Sequence, residues 1–201
     1  VSVLTILGSP RKKGNTATVL TWVEEELLNL GRTPERVNLA GLKINGCLGC
    51  WSCKKKPDVP GCVQEDDALT VWEKMLRAEA AVFASPVYFW DFTSQMKAFI
   101  DRSCCLVTDY GRPGHSSLVE GRPRALLVTA EDGFEDNGEL MMDLFRKQAA
   151  YAKAPIAGEL FLGRCSGPKK LGEEARQAAK ILARQVAGEL EYGFQVINNG
   201  R

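Results

Sequence analysis

Short apolar runs alternate along the chain with longer stretches in which apolar residues recur at a helical period. The runs fall at residues 1–7, 36–39, 80–84, 125–130 and 154–162. Runs of this length suit strands covered on both faces. Between them, Ala68, Val71, Trp72 and Met75 recur at i, i+3, i+4 and i+7 behind an Asp66–Asp67 start signal. Leu171, Ala175, Ala178, Leu182, Val186 and Leu190 form a similar stripe, and residues 16–30, 94–103 and 137–151 also read as helices. The alternation predicts an α/β fold, with helices on both faces of a parallel sheet.

Right-handed crossovers and short loops narrow this to a flavodoxin-like three-layer fold whose five-stranded parallel sheet runs in the order 2-1-3-4-5. One connection does not fit. The segment at about 41–66 is too long for an ordinary loop, and structureless connections of that length are usually functional or disordered. With no repeat, low-complexity tract or linker, residues 1–201 are expected to form a single domain carrying this segment as a cysteine-rich insertion. A composition of 45% hydrophobic and 25% charged residues is that of an ordinary globular protein. The net charge of +1 lacks the basic excess of a nucleic-acid binder. The apolar residues 1–7 are too few for a membrane span and lack the basic flank of a signal peptide. With seven cysteines and no sign of secretion, a reducing cytoplasm is the expected location.

The first strand leads through Gly8-Ser9-Pro10-Arg11-Lys12-Lys13-Gly14-Asn15-Thr16 into a helix. Backbone N–H groups and the positive helix end gather anions at such a junction. Walker A is excluded, because Gly14 follows Gly8 by six positions and Asn15 stands where that motif needs lysine. The dinucleotide fingerprint G-x-G-x-x-G is absent as well. What remains is a loop of hydroxyls, an amide and an arginine, suited to a terminal phosphate monoester. The plainer reading is that Ser9, Asn15 and Thr16 only form a turn and cap the helix.

Cys47, Cys50, Cys53 and Cys62 fall within sixteen residues. Two C-x2-C units share Cys50, and an x8 segment returns Cys62. Chains wrap cubane iron–sulfur clusters with runs of this kind. Zinc sites more often use two separate knuckles. Three readings therefore stand: a cluster, zinc or a dithiol pair, and small buried apolar side chains in a turn-rich loop.

Taken in order, Gly8-Ser9-Pro10-Arg11-x-x-Gly14-Asn15-Thr16, Gly49-Cys50-x-x-Cys53, Cys62-x-x-x-Asp66-Asp67, Ser85-Pro86-Val87-Tyr88-Phe89-Trp90 and Lys97-Ala98-Phe99-Ile100-Asp101-Arg102 resemble the NADPH-dependent FMN reductase family. Within it the chain is most similar to the iron–sulfur flavoproteins, although its last cysteine interval is longer than those members usually show. The motifs cover the first half of the chain, and the rest matches only as a general pattern. The resemblance implies non-covalent FMN, with its phosphate on Ser9, Arg11, Asn15 and Thr16. It further implies that Pro86, Val87, Tyr88, Phe89 and Trp90 lie against the flavin ring. By position, the loop after the fourth strand, with Thr129 and Gly133, supplies a second wall.

The implied function is FMN-dependent oxidoreduction or electron transfer, with a [4Fe–4S] cluster on Cys47, Cys50, Cys53 and Cys62 exchanging electrons with FMN. The alternatives are an NAD(P)H-dependent flavin or quinone reductase without a cluster, and a non-enzymatic flavin-binding or zinc-stabilised protein. No side chain is expected to be catalytic, since the flavin carries the chemistry. Expected partners are a small-molecule electron donor or acceptor and ferredoxin, with a homodimer or homotetramer as the assembly. Asp101 and Arg102 read as an ion pair or cap, Lys54–Lys56 as a solvated charge run or a steering patch, and His115, Cys104, Cys105 and Cys165 as incidental.

Overall fold

A computed structural model of the chain describes residues 1–56 and 58–199. Pro57, within the cysteine segment, lies outside the described residues. Six parallel strands form the main sheet: β1 (Ser2–Leu7), β2 (Thr33–Asn38), β3 (Ala80–Pro86), β6 (Arg124–Thr129), β7 (Ile156–Gly163) and β8 (Phe194–Asn198). Their spatial order is β2-β1-β3-β6-β7-β8. A two-residue antiparallel ribbon, β4 (Val107–Thr108) with β5 (Ser116–Ser117), stands apart from it.

The helices are α1 (Asn15–Asn29), α2 (Ala68–Arg77), α3 (Ser94–Arg102), α4 (Glu139–Tyr151) and α5 (Glu173–Val186). Side-chain alternation along the strands divides the core into two layers. Val3, Leu7, Val82, Ala84, Leu127 and Leu160 pack on one face with Leu20 and Val23 of α1 and Ala179 and Leu182 of α5. Leu4, Ile6, Phe83, Leu126 and Phe161 pack on the other with Trp72, Met96, Phe99 and Phe145 of α2, α3 and α4. Both faces of the central strands are thus covered, which is why those strands read as unbroken apolar runs.

The flavodoxin-like class and the order of the first five strands agree with the sequence reading, but the sheet has six strands. The missed strand, β8, is a half-exposed edge element paired with β7. The apolar stripe traced through Leu190 overran its helix. α5 stops at Val186, and Gly188 behind it takes φ 77°. The N–H groups of Gly188 and Glu189 return to the carbonyls of Gln185 and Arg184, the left-handed glycine stop that closes many helices. Leu190 is exposed beyond that stop, and Leu171 precedes the helix.

Candidate functional site

The chain runs from β1 through α1 to β2 on one side, then crosses to β3 on the other side of β1. Open α/β sheets bind ligands at such a switch, at the carboxyl ends of the strands. Here the Gly8 N–H donates to the Ala84 carbonyl at 2.8 Å, and the Thr93 hydroxyl donates to the Gly8 carbonyl at 2.7 Å. A Cβ on Gly8 would meet Met96 Cβ at 2.9 Å, so this strand end sits directly on α3.

The loop that follows is built for an anion. Gly14 is the N-cap of α1 and no side chain caps the helix, whose first turn holds no acidic residue. Its leading N–H groups are therefore free of intrahelical partners. Arg11, Lys12 and Lys13 are exposed beside it. Ser9 is buried and its hydroxyl accepts from the Arg11 N–H at 3.2 Å. The Asn15 amide donates to the Cys165 carbonyl at 2.9 Å, leaving its buried Oδ1 without a partner among the described residues. Thr16 and Thr129 share a buried hydroxyl–hydroxyl bond of 2.7 Å. Neither Asn15 nor Thr16 is simply the helix cap, since the cap position is Gly14.

Beyond β3 the N–H of Val87 joins the Thr129 carbonyl, and Tyr88 and Asp91 exchange backbone bonds at 2.9 and 3.1 Å. Between them Phe89 and Trp90 take φ values of 53° and 63°. Two successive left-handed residues are the requirement of a type I′ turn, normally met by asparagine and glycine. Aromatic residues there carry backbone strain of a kind concentrated at ligand clamps. The turn thrusts both rings outward, Phe89 at 92% exposure. They are not core residues. The Trp90 indole donates to the Asp136 carbonyl at 3.0 Å, bridging to the loop after β6.

Val87, Phe89 and Trp90 on one side and residues 130–132 and 135–137 on the other enclose a cleft of about 440 Å³. Glu131, Asp132, Glu135 and Asp136 make its far wall acidic, opposite in charge to the Arg11–Lys13 loop. Gly133 lies just beyond, near Asn198 and Gly163. A molecule with an anionic tail and a flat uncharged head would be oriented by that separation of charge.

The cysteine segment forms a second site. Cys47, Cys50, Cys53 and Cys62 all line one cavity of about 190 Å³, joined there by Cys104 and Cys105. Among the described residues no three potential ligands are drawn together tightly enough to grip a single ion. The donor set is four thiols, which is the set a cubane cluster takes and one that structural zinc takes as well. Bonds to Ser52 lower the Cys50 thiol pKa, whereas burial raises that of Cys53. Burial pushes Cys105 much further up, making it a poor thiolate ligand.

This irregular loop is held chiefly by Arg102, which the sequence suggested only as part of a helix-end pair or cap. Arg102 is buried, and its guanidinium lies over Trp72 and pairs with Asp66. It also donates to the Asn45 carbonyl and, at 3.3 Å, to Cys62 Sγ. Burial raises the Asp66 pKa, but the bonds from Arg102 and from the Asn45 and Ala68 N–H groups outweigh it and hold the carboxyl below its usual range. Asp101 pairs instead with Lys97. Lys54 is not a solvated charge either, because its ammonium is bonded to the carbonyls of Cys104 and Val107. Lys55 and Lys56 are exposed. His115 bonds the Tyr151 carbonyl and stacks on its ring, away from both sites.

A doubly wound sheet with an anion loop and an aromatic clamp at its switch point defines a flavodoxin-like protein. The family model described as NADPH-dependent FMN reductase matches residues 1–162, and the chain belongs to that family. By that membership it is an FMN-dependent oxidoreductase. An iron–sulfur flavoprotein of Archaeoglobus fulgidus is 32% identical over 191 residues, covering 95% of this chain and 81% of that one. A second from the same organism is 40% identical over 103 residues, covering 51% of this chain and 49% of its own length. Among solved structures, an NAD(P)H:quinone oxidoreductase from Methanothermobacter marburgensis superposes with a TM-score of 0.71 at 18% identity, covering 96% of this chain and 98% of that one. At that identity the likeness concerns the fold. Among the described residues no helix is long and apolar enough to cross a membrane.

Proposed function

We propose that the chain is an electron-transfer flavoprotein in which FMN at the strand switch exchanges electrons with a [4Fe–4S] cluster on Cys47, Cys50, Cys53 and Cys62. The observation that carries this reading is the convergence of those four cysteines on one cavity, with Arg102 bonded to the last of them. Ser9, Arg11, Asn15, Thr16 and the open end of α1 hold the phosphate. The Asn15 Oδ1, lacking a donor, suits a ribityl hydroxyl. Pro86, Val87, Tyr88, Phe89 and Trp90 form one wall for the ring, and the loop from Thr129 to Gly133 forms the other. Bound flavin supplies both hydride and single-electron chemistry, and a cluster supplies single-electron chemistry alone. The chain's own residues bind, orient and shield, and no side chain is assigned a proton-transfer role.

The proposed partners are ferredoxin as a one-electron donor or acceptor and NAD(P)H as a two-electron donor, in the cytoplasm. A homodimer or homotetramer is supported by exposed apolar side chains around both sites: Phe89 and Trp90 at one, Leu48, Trp51, Val59 and Val63 at the other. The second reading, an NAD(P)H-dependent reductase whose cysteines are structural, draws on the absence of a tightly assembled ion site among the described residues. A visible spectrum with iron and sulfide assays on anaerobically purified protein separates the two. Flavin bands with a broad brown shoulder and about four irons per chain uphold the first. Flavin without iron overturns it in favour of the second.

A further inference from the structure

Arg124 opens β6, and the alternation that turns Leu126 and Val128 toward α2 and α4 turns it the same way. The β6–β7 register shifts between Arg124 and Ala125. Its guanidinium lies over the Phe83 ring at 5.7 Å, yet makes no hydrogen bond or ion pair among the described residues, and Nε is buried without an acceptor. Of the other partly or fully buried arginines, Arg36, Arg102 and Arg146 each meet a carboxylate, and Arg32 and Arg122 each donate to a backbone carbonyl. Burial alone pushes the Arg124 pKa down to about 10, so the group is still cationic at neutral pH. The residue is partly buried, with Nε shut off from water, and a donor so placed is unfavourable unless something pairs with it.

That something has a place. Arg124 faces a cavity of about 230 Å³ whose apolar walls include Met75, Phe83, Leu106 and Val119. Gln148 and Tyr151 border it, and neither side chain hydrogen-bonds within the described residues. The carboxylate on its wall, Asp101, is engaged by Lys97 at 2.7 Å. We infer that this cavity binds a small organic monocarboxylate, its carboxylate on the Arg124 fork and its apolar body against Phe83, Met75 and Val119. Guanidinium and carboxylate match as a planar two-bond pair, whereas the apolar walls disfavour a fully hydrated inorganic dianion. The site stands at the amino end of β6, away from the flavin cleft, and the inference does not depend on the cluster. Asp101 and Cys104 line both this cavity and the cysteine cavity, so an occupant would lie against the wall of that site.

The test is calorimetric titration of the whole protein with benzoate and with benzamide, its uncharged isostere, together with Arg124→Gln and Arg124→Lys variants. Saturable benzoate binding should weaken about tenfold or more in Arg124→Gln, and benzamide should bind the unaltered protein about tenfold or more weakly than benzoate. Arg124→Lys should retain part of the preference for the acid. Loss of an unpaired charge should leave the unfolding midpoint of Arg124→Gln at or above that of the parent, which shows the variant is folded. Benzoate and benzamide binding equally, or no saturable benzoate binding, overturns the inference. A smaller oligomer in Arg124→Gln with benzoate binding unchanged also overturns it, by identifying the occupant as a carboxylate of a second copy.

Discussion

The flavin cleft and the cysteine pocket are built by opposite means. The cleft is assembled at strand ends, so the sheet places its parts. Gly8 is fixed by Ala84 and Val87 by Thr129, each through a backbone bond between neighbouring strand ends. The pocket is a long irregular segment whose described residues hold one short 3₁₀ turn, Ser52–Lys55, and side chains from elsewhere place it. Arg102 at the end of α3 gathers Asn45, Cys62 and Asp66, and Lys54 ties the middle of the loop to Cys104 and Val107. A site positioned by regular backbone should tolerate side-chain loss outside the ligand contacts. A site positioned by one buried cation should not.

The largest test of that contrast is Arg102→Met. With the guanidinium gone, the buried Asp66 carboxylate loses its counter-charge, which should destabilise the fold by about 3–5 kcal/mol. Denaturant unfolding measures it, and a loss below about 1 kcal/mol would show that the loop is held by other means. Arg102→Lys should restore part of the stability but lower the iron content, because an ammonium cannot span both Asp66 and Cys62. On the other side of the comparison, Gly8→Ala forces a methyl against Met96 and should remove about 1–3 kcal/mol. Flavin content should fall with it while iron content holds. If both cofactors are lost together, the two sites are not separately supported.

How much of this was legible in the sequence follows the same division. The class of fold could be read, and the strand-to-helix loop and the aromatic segment after β3 could be picked out, because each is local: a strand, a glycine, a helix start. The cysteines could be grouped for the same reason. What holds them could not, since Arg102 lies 40 positions beyond Cys62 and its direction depends on how α3 packs against Trp72. Cys104 looked incidental because only the packing of the 3₁₀ turn after α3 brings it to the pocket. The sixth strand was missed for a different reason. β8 is short, half exposed and without a clean apolar alternation, whereas the helix before it offered a clear apolar stripe that masked the stop at Gly188.

A smaller effect isolates the phosphate. Arg11 is exposed and carries no ion pair among the described residues, so Arg11→Ala should change stability by less than about 0.5 kcal/mol. FMN affinity should nevertheless fall about tenfold, as expected for the loss of one charge-assisted contact. Riboflavin, which has no phosphate, should bind the variant and the parent alike. Fluorescence titration of the flavin-free protein with both ligands decides the matter. An equal loss for both would place the phosphate elsewhere.

The smallest effect on the fold carries the sharpest sign. Phe89 combines 92% exposure with φ 53°, so it contributes almost no burial and holds a backbone conformation unfavourable to a side chain. Phe89→Gly removes that strain, offset in part by the greater freedom glycine gains in the unfolded chain. The variant should therefore be as stable as the parent or up to about 1 kcal/mol more stable. If the ring is there to face the flavin, the same change should weaken FMN and riboflavin equally, since both present the same flat surface. Stability that rises while affinity falls is the signature of strain kept for binding. A loss of stability would instead mean that Phe89 packs against something in the assembled protein, most simply a second copy of the chain. Concentration-dependent unfolding of the parent distinguishes that case.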